Sequence, residues 1–191
     1  MTRIELDLIV LIYVMYLYEC IHWLKEGDIA YTRSYFKSWK KWEHTTLSFT
    51  LLRRRPYAVN LFPFASGFIS VRRTAFAQDR VLKILQRVDR FSRFYWSLRL
   101  ASSVQAGIML VLVPLVIGFE KLSNAWLSLL ILVLASHIIT ATIFTLNILL
   151  LVKDRSKVLT DVLSVYLNPI AAIRSGDALV QRTFQAFTIQ K

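Results

Sequence analysis

The chain is poor in the residues that most catalytic motifs are built from. It holds five glycines, and none of them forms a phosphate-cradling loop, a Gly-x-Ser-x-Gly elbow or a Walker pattern. Its one cysteine, Cys20, excludes an intrachain disulfide. Three histidines are too few for a histidine-rich membrane oxygenase. Acids are scarce as well: 12 Asp and Glu stand against 24 Lys and Arg, for a formal charge of +12. There is no internal repeat and no low-complexity tract.

Charge is missing altogether from two long runs. Residues 101–119 and 125–152 carry no charged side chain apart from a protonatable His137, and only the polar turn 120–124 separates them. At ~1.5 Å per residue a helix of about 20 residues crosses the ~30 Å hydrocarbon core. Strands are excluded there, because an open sheet edge in lipid leaves backbone groups unpaired. The pair therefore reads as a transmembrane helical hairpin. Pro114 is expected to kink its first helix. Ser102, Ser103, Ala106 and Gly107 on one helix, with Ala135, Ser136, Thr140 and Ala141 on the other, are small enough for close packing. A third apolar run, 8–24, reads as another membrane helix, with Tyr13, Tyr16, Tyr18 and Trp23 as interface anchors. The alternative for this run is a helix lying in the interface. Met1–Asp7 lacks the basic start of a secretory signal, so no cleavage is expected.

The expected fold class is an all-α integral membrane protein. It has three transmembrane helices (8–24, 101–119 and 125–152), basic amphipathic interfacial helices, and a small β-hairpin in the cytoplasmic loop. The domains are an N-terminal membrane helix (1–24), a basic cytoplasmic or interfacial segment (25–100), the hairpin (101–152) and a basic cytoplasmic tail (153–191). Within 25–100, the stretch Tyr31–Trp42 mixes aromatic and basic residues as a headgroup-layer helix would. Thr45–Leu51 and Tyr57–Phe62 alternate as the strands of a hairpin, with Arg53, Arg54 and Arg55 at its tip. Pro63–Gly67 reads as a turn. Thr74–Leu98 has apolar residues at helical spacing, and Arg80, Lys83, Arg87, Arg90 and Arg93 on its other faces, as a helix on an anionic inner leaflet would. Ser156–Leu167 repeats that pattern, and Asp177–Phe187 forms a last helix with Asp177 as its N-cap.

Orientation follows from basic residues. Of the 24 Lys and Arg, most fall between Lys25 and Arg99, which places that segment and the tail on the cytoplasmic side and the N-terminus outside. A bacterial inner membrane fits this arrangement.

Two sets of residues carry candidate chemistry. Glu19 and His22, three apart on a helix, share a face and offer two metal ligands, but a metal site needs more ligands from other helices. A salt bridge to a base such as Arg33 competes with that reading. His137 sits at the middle of its helix, in line with Thr140, Phe144 and Asn147. It can bind a haem or chlorophyll-type cofactor, relay a proton, or join neighbouring helices. His44, alone in a basic loop, reads as structural. The sequence names no cofactor. It points first to a non-enzymatic accessory or scaffold subunit of a membrane complex, with anionic lipids and other membrane subunits or copies of itself as partners and no nucleic acid. A cofactor-binding subunit or small membrane enzyme using His137 or Glu19 and His22 is the alternative, and a transporter component is another.

Overall fold

The computed structural model describes residues 3–24, 28–34, 39–41, 57–72, 78–91, 93–118, 125–151 and 156–189. The chain is mostly helical, with two small antiparallel sheets at one end of a helical body. Among the described residues, two helices are long and apolar enough to cross a membrane: Tyr95–Gly118 (24 residues) and Trp126–Leu150 (25 residues).

Helix α1 (Arg3–Glu19) opens the chain and stops earlier than its apolar sequence. Cys20 makes a turn, and Ile21–Trp23 becomes strand β1, paired with β4 (Tyr57–Val59). The expected membrane helix over 8–24 is thus corrected to a 17-residue helix over 3–19, and it is not among the two spans. Glu19 and His22 do not share a helical face. Backbone pairing explains the early stop: the Cys20 carbonyl accepts from Asn60 N–H at 2.9 Å, and His22 lies opposite Ala58.

The second sheet runs β3 (Lys40–Lys41), β2 (Asp28–Ser34), β5 (Ser66–Arg72). The long pairing holds Tyr31 opposite Ile69, both 1% exposed. Tyr31 and Trp39 therefore belong to the core, and Asp28–Ser34 is a strand where a headgroup helix was expected. Strand β5 likewise takes Ser66 and Gly67 out of the expected turn. The expected partner strand Thr45–Leu51, the arginines Arg53, Arg54 and Arg55, and His44 lie outside the described residues.

Helices α2 (Gln78–Phe91) and α3 (Arg93–Gly107) divide the amphipathic stretch. Val81 and Leu85 are buried, while Arg80 and Lys83 face outward. The backbone places Arg87 and Arg90 on α2 and Arg93 at the start of α3. After α3 comes a π turn (Ile108–Leu112), then α4 (Val113–Gly118). Proline explains the wide turn. Pro114 has no N–H for the carbonyl four residues back, and its ring crowds that carbonyl in a regular helix. The ladder therefore widens just before it, with Val113 N–H reaching back to Ile108. The Leu110 carbonyl that Pro114 cannot serve accepts the Tyr13 hydroxyl of α1 at 2.7 Å.

Helix α5 (Trp126–Leu151) has two parts. Its later half carries Ala141, Phe144 and Ile148 into the main core, beneath the sheet and among Val81, Leu98 and Leu179. Its earlier half turns Leu127, Leu130, Ile131 and Leu134 outward. Two of its polar residues bond back to the helix's own carbonyls, Thr140 to that of Ser136 and Asn147 to that of Ile143.

Helix α6 (Ser156–Leu167) has the bounds its periodicity gives. It packs back along α5, until the Tyr166 carbonyl lies 2.9 Å from His137 Nε2. Asn168-Pro169 then breaks the chain, and Asn168 caps the short α7 (Pro169–Ile173) by accepting from Ile170 and Ala171 N–H. Helix α8 (Ser175–Ile189) packs on β5 and α5. Asp177 lies inside its first turn rather than at the N-cap.

Candidate functional site: a polar corner around His22, Arg174 and Asp177

Buried polar residues mark the hairpin, Gln105, His137 and Thr140 among them. His137 is 7% exposed, and Gln105 and Thr140 are fully buried. A carbonyl only accepts, so the His137 proton sits on Nε2, facing the Tyr166 carbonyl. Nδ1 then accepts from Gln105 Nε2 at 3.3 Å, and the same amide donates to the Pro169 carbonyl at 2.7 Å. The end of α6 leaves the Tyr166 carbonyl without a helical partner. His137 supplies a donor to it, and Gln105 ties down the start of α7 through the Pro169 carbonyl. Both ring nitrogens of His137 are engaged in joining α3, α5 and the α6–α7 break. Thr140, Phe144 and Asn147 lie buried on the same face, as their spacing predicts.

A second polar group forms where the ends of α1, β1, β5 and α8 meet. Arg174, between α7 and α8, gathers the two residues at the end of α1. Its Nη1 donates to the Glu19 carbonyl at 3.3 Å and to Glu19 Oε2 at 3.5 Å. Its Nη2 donates to His22 Nδ1 at 3.0 Å. The base that meets Glu19 is Arg174, 155 residues away, and not the nearby Arg33. His22 stacks on Phe68 of β5, with ring centroids 3.9 Å apart. Asp177 Oδ1 accepts from Phe68 N–H at 2.9 Å and from Arg99 Nη2 at 3.4 Å. Arg99, itself 4% exposed, also donates to the Phe64 carbonyl at 3.2 Å and lies over the Tyr95 ring. Gly67 lets these side chains approach closely. A Cβ there would meet Trp39 and Tyr95 at 3.0 Å and Arg99 at 3.1 Å.

Burial sets the charge states. Removal from water pushes the Asp177 carboxyl from 3.8 up to about 6, although Arg99, Arg174 and the Phe68 N–H pull the other way. Burial, helped by the Arg174 charge, holds His22 down at about 3, so its ring is neutral near pH 7. A cavity of about 370 Å³ opens beside the two, lined among others by Glu19, Trp23, Phe68, Ser70, Ser164 and Gln181.

Glu19 and His22 are thus brought together, by a turn and a strand rather than by a helix, and both line the cavity. No group of three metal-ligating side chains occurs among the described residues. Arg99, Arg174 and Asp177 escaped the sequence reading. Arg99 was counted only as loop charge, and Asp177 only as a cap. A basic residue two positions before a membrane run and an Arg-x-x-Asp step across a helix start were the available signals. Nothing in the sequence shows that they meet. No family model, curated protein or solved structure matches the chain.

Proposed function

We propose that the chain is an integral membrane protein that works as a non-catalytic accessory or scaffold subunit of a membrane assembly. The outward apolar surface supports the membrane reading. A core helix of a soluble protein is mostly buried, whereas only 39% and 33% of the most apolar stretch of the two long helices is covered by the chain. In this reading α1 runs beside the hairpin as a third membrane-embedded helix. Its middle packs on Val113, Ile117 and Leu129 near the turn, and its end packs on Ala106 and Met109. The N-terminus is then outside, the sheets and Arg-rich segment are cytoplasmic, and α6–α7 enters and leaves from the cytoplasmic face of a bacterial inner membrane.

The observation that carries the subunit role is Gly107. Glycine in a helix interior costs about 1 kcal/mol relative to alanine. Gly107 has ordinary helical φ and ψ of −60° and −43°, and a Cβ on it would meet no heavy atom within 4 Å. Among the described residues, neither packing nor backbone gives a reason for glycine here. A neighbouring membrane helix seated closely against Val104, Gly107 and Val111 gives one. Native mass spectrometry after mild extraction tests it. The wild-type protein is expected in a species of fixed stoichiometry above the monomer mass, and Gly107→Leu is expected to release a folded monomer. A wild-type protein that is monomeric both in detergent and in nanodiscs overturns the reading.

A further inference from the structure

His22 Nε2 and Asp177 Oδ2 have no hydrogen-bond partner among the described residues. They stand 3.9 Å apart, too far to bond each other. The two residues are 4% and 5% exposed, and both line the cavity. Their hydrogen-bonding senses are fixed and opposite. Arg174 can only donate, so His22 Nδ1 accepts and the proton of the neutral ring sits on Nε2. The ring cannot turn freely, because Phe68 stacks on it. Asp177 is held through its other oxygen by Phe68 N–H and Arg99, which leaves Oδ2 as an acceptor. A hydroxyl group, or a water molecule in its place, meets both needs. A hydroxyl accepts from Nε2–H and donates to Oδ2, and an oxygen about 2.8–3.0 Å from each fits the gap.

Other ligands fit less well. An ionised carboxylate cannot donate to Oδ2, and a phosphate would set its negative charge against Asp177 and Glu19. A metal cation would face the His22 N–H. The two acids, Glu19 and Asp177, are matched by Arg99 and Arg174, which favours a neutral guest. Ser70, Ser164 and Gln181 add polar groups to the walls, and Phe68 and Trp23 add flat apolar ones. At about 370 Å³ the cavity holds far more than one water, whose share of liquid volume is about 30 Å³.

We propose that this cavity binds a neutral polyhydroxy group, anchored by one hydroxyl between His22 Nε2 and Asp177 Oδ2. The group comes either from a free polyol or from the glycerol headgroup of a lipid. The test uses the full chain in an oxyethylene detergent, which offers no sugar hydroxyls. In one arm, myo-inositol is titrated and followed by saturation-transfer NMR. In the other, nanodiscs of mixed phosphatidylglycerol and phosphatidylethanolamine are analysed by native mass spectrometry for retained lipid. At least one probe is expected to bind, and the arm that responds identifies the source. Two variants are expected to weaken binding at least tenfold. His22→Phe keeps the stacked ring and removes its N–H. Ser164→Trp blocks the rim from an exposed position, so it decides the matter if His22→Phe fails to fold. If neither probe binds the wild type, so that water alone occupies the cavity, or if Ser164→Trp and a folded His22→Phe bind as the wild type does, the proposal is overturned.

Discussion

At the scale of residues, the buried polar groups define what substitutions do. Tyr13→Phe removes the donor that replaces the missing Pro114 N–H at the Leu110 carbonyl. A loss of about 1 kcal/mol is expected in unfolding measurements in detergent. His137→Leu strands the Tyr166 carbonyl and frees Gln105 from one of its two contacts, so a larger loss of about 3 kcal/mol is expected by the same measurement. The pair His22 and Asp177 makes a pH signature. Asp177 is raised from 3.8 to about 6. Its stabilising contribution is therefore full below about 3.8 and is lost as pH rises through 6. His22 is lowered from 6.5 to about 3, so its contribution is full above about 6.5 and is lost as pH falls through 3. The two oppose each other between about pH 4 and 6. Compared with the wild type over that window, stability of His22→Phe should fall as pH rises, and that of Asp177→Asn should climb. Parallel curves for the two variants would contradict the assigned charge states.

At the scale of elements, legibility follows the range of the forces involved. Helix α6 was readable to the residue, because its period and the Asn168-Pro169 stop are both local. The two long helices were readable because charge is excluded over whole spans. Strands β2 and β5 were not. Neighbouring residues are buried together, Ala30 with Tyr31 in β2 and Gly67 through Ile69 in β5, so the alternation that marks a half-exposed strand is absent. In β5 only Ser66, Ser70 and Arg72 escape full burial. The end of α1 was missed for a related reason: Ile21–Trp23 is apolar enough to continue a helix, and only the distant β4 pairs it into a strand. The site inherits that limit. Glu19 and His22 were singled out, but Arg174 and Asp177, which complete their surroundings, lie about 150 residues away. The α6–α7 break offers an element-level test. Asn168→Ala removes the acceptor for two N–H groups of α7 and is expected to lower stability by about 1 kcal/mol. Asn168→Asp, which keeps the acceptor, should lose much less.

At the scale of the whole molecule, the chain combines two long helices with largely uncovered apolar faces and a packed core of the kind soluble domains have. The two meet along α5, where Phe144 and Ile148 belong to the core while Leu146 and Leu149 face out. The orientation is testable in a Cys20→Ala background. A membrane-impermeant maleimide applied to intact cells is expected to label Ile4→Cys and to leave Lys83→Cys unlabelled until the cells are opened. The reverse pattern would invert the topology. The way the α6–α7 break is held also bears on how the protein is made. Gln105 and His137 leave the ribosome before Tyr166 and Pro169, the carbonyls they serve. In the proposed membrane reading, the hairpin therefore enters lipid with a polar amide and an imidazole unmet, and it waits for the later segment 156–169 to match them. Chains cut short before Ser156 should be inserted and then cleared by quality-control proteases, whereas the same tail supplied as a separate polypeptide should prolong their lifetime.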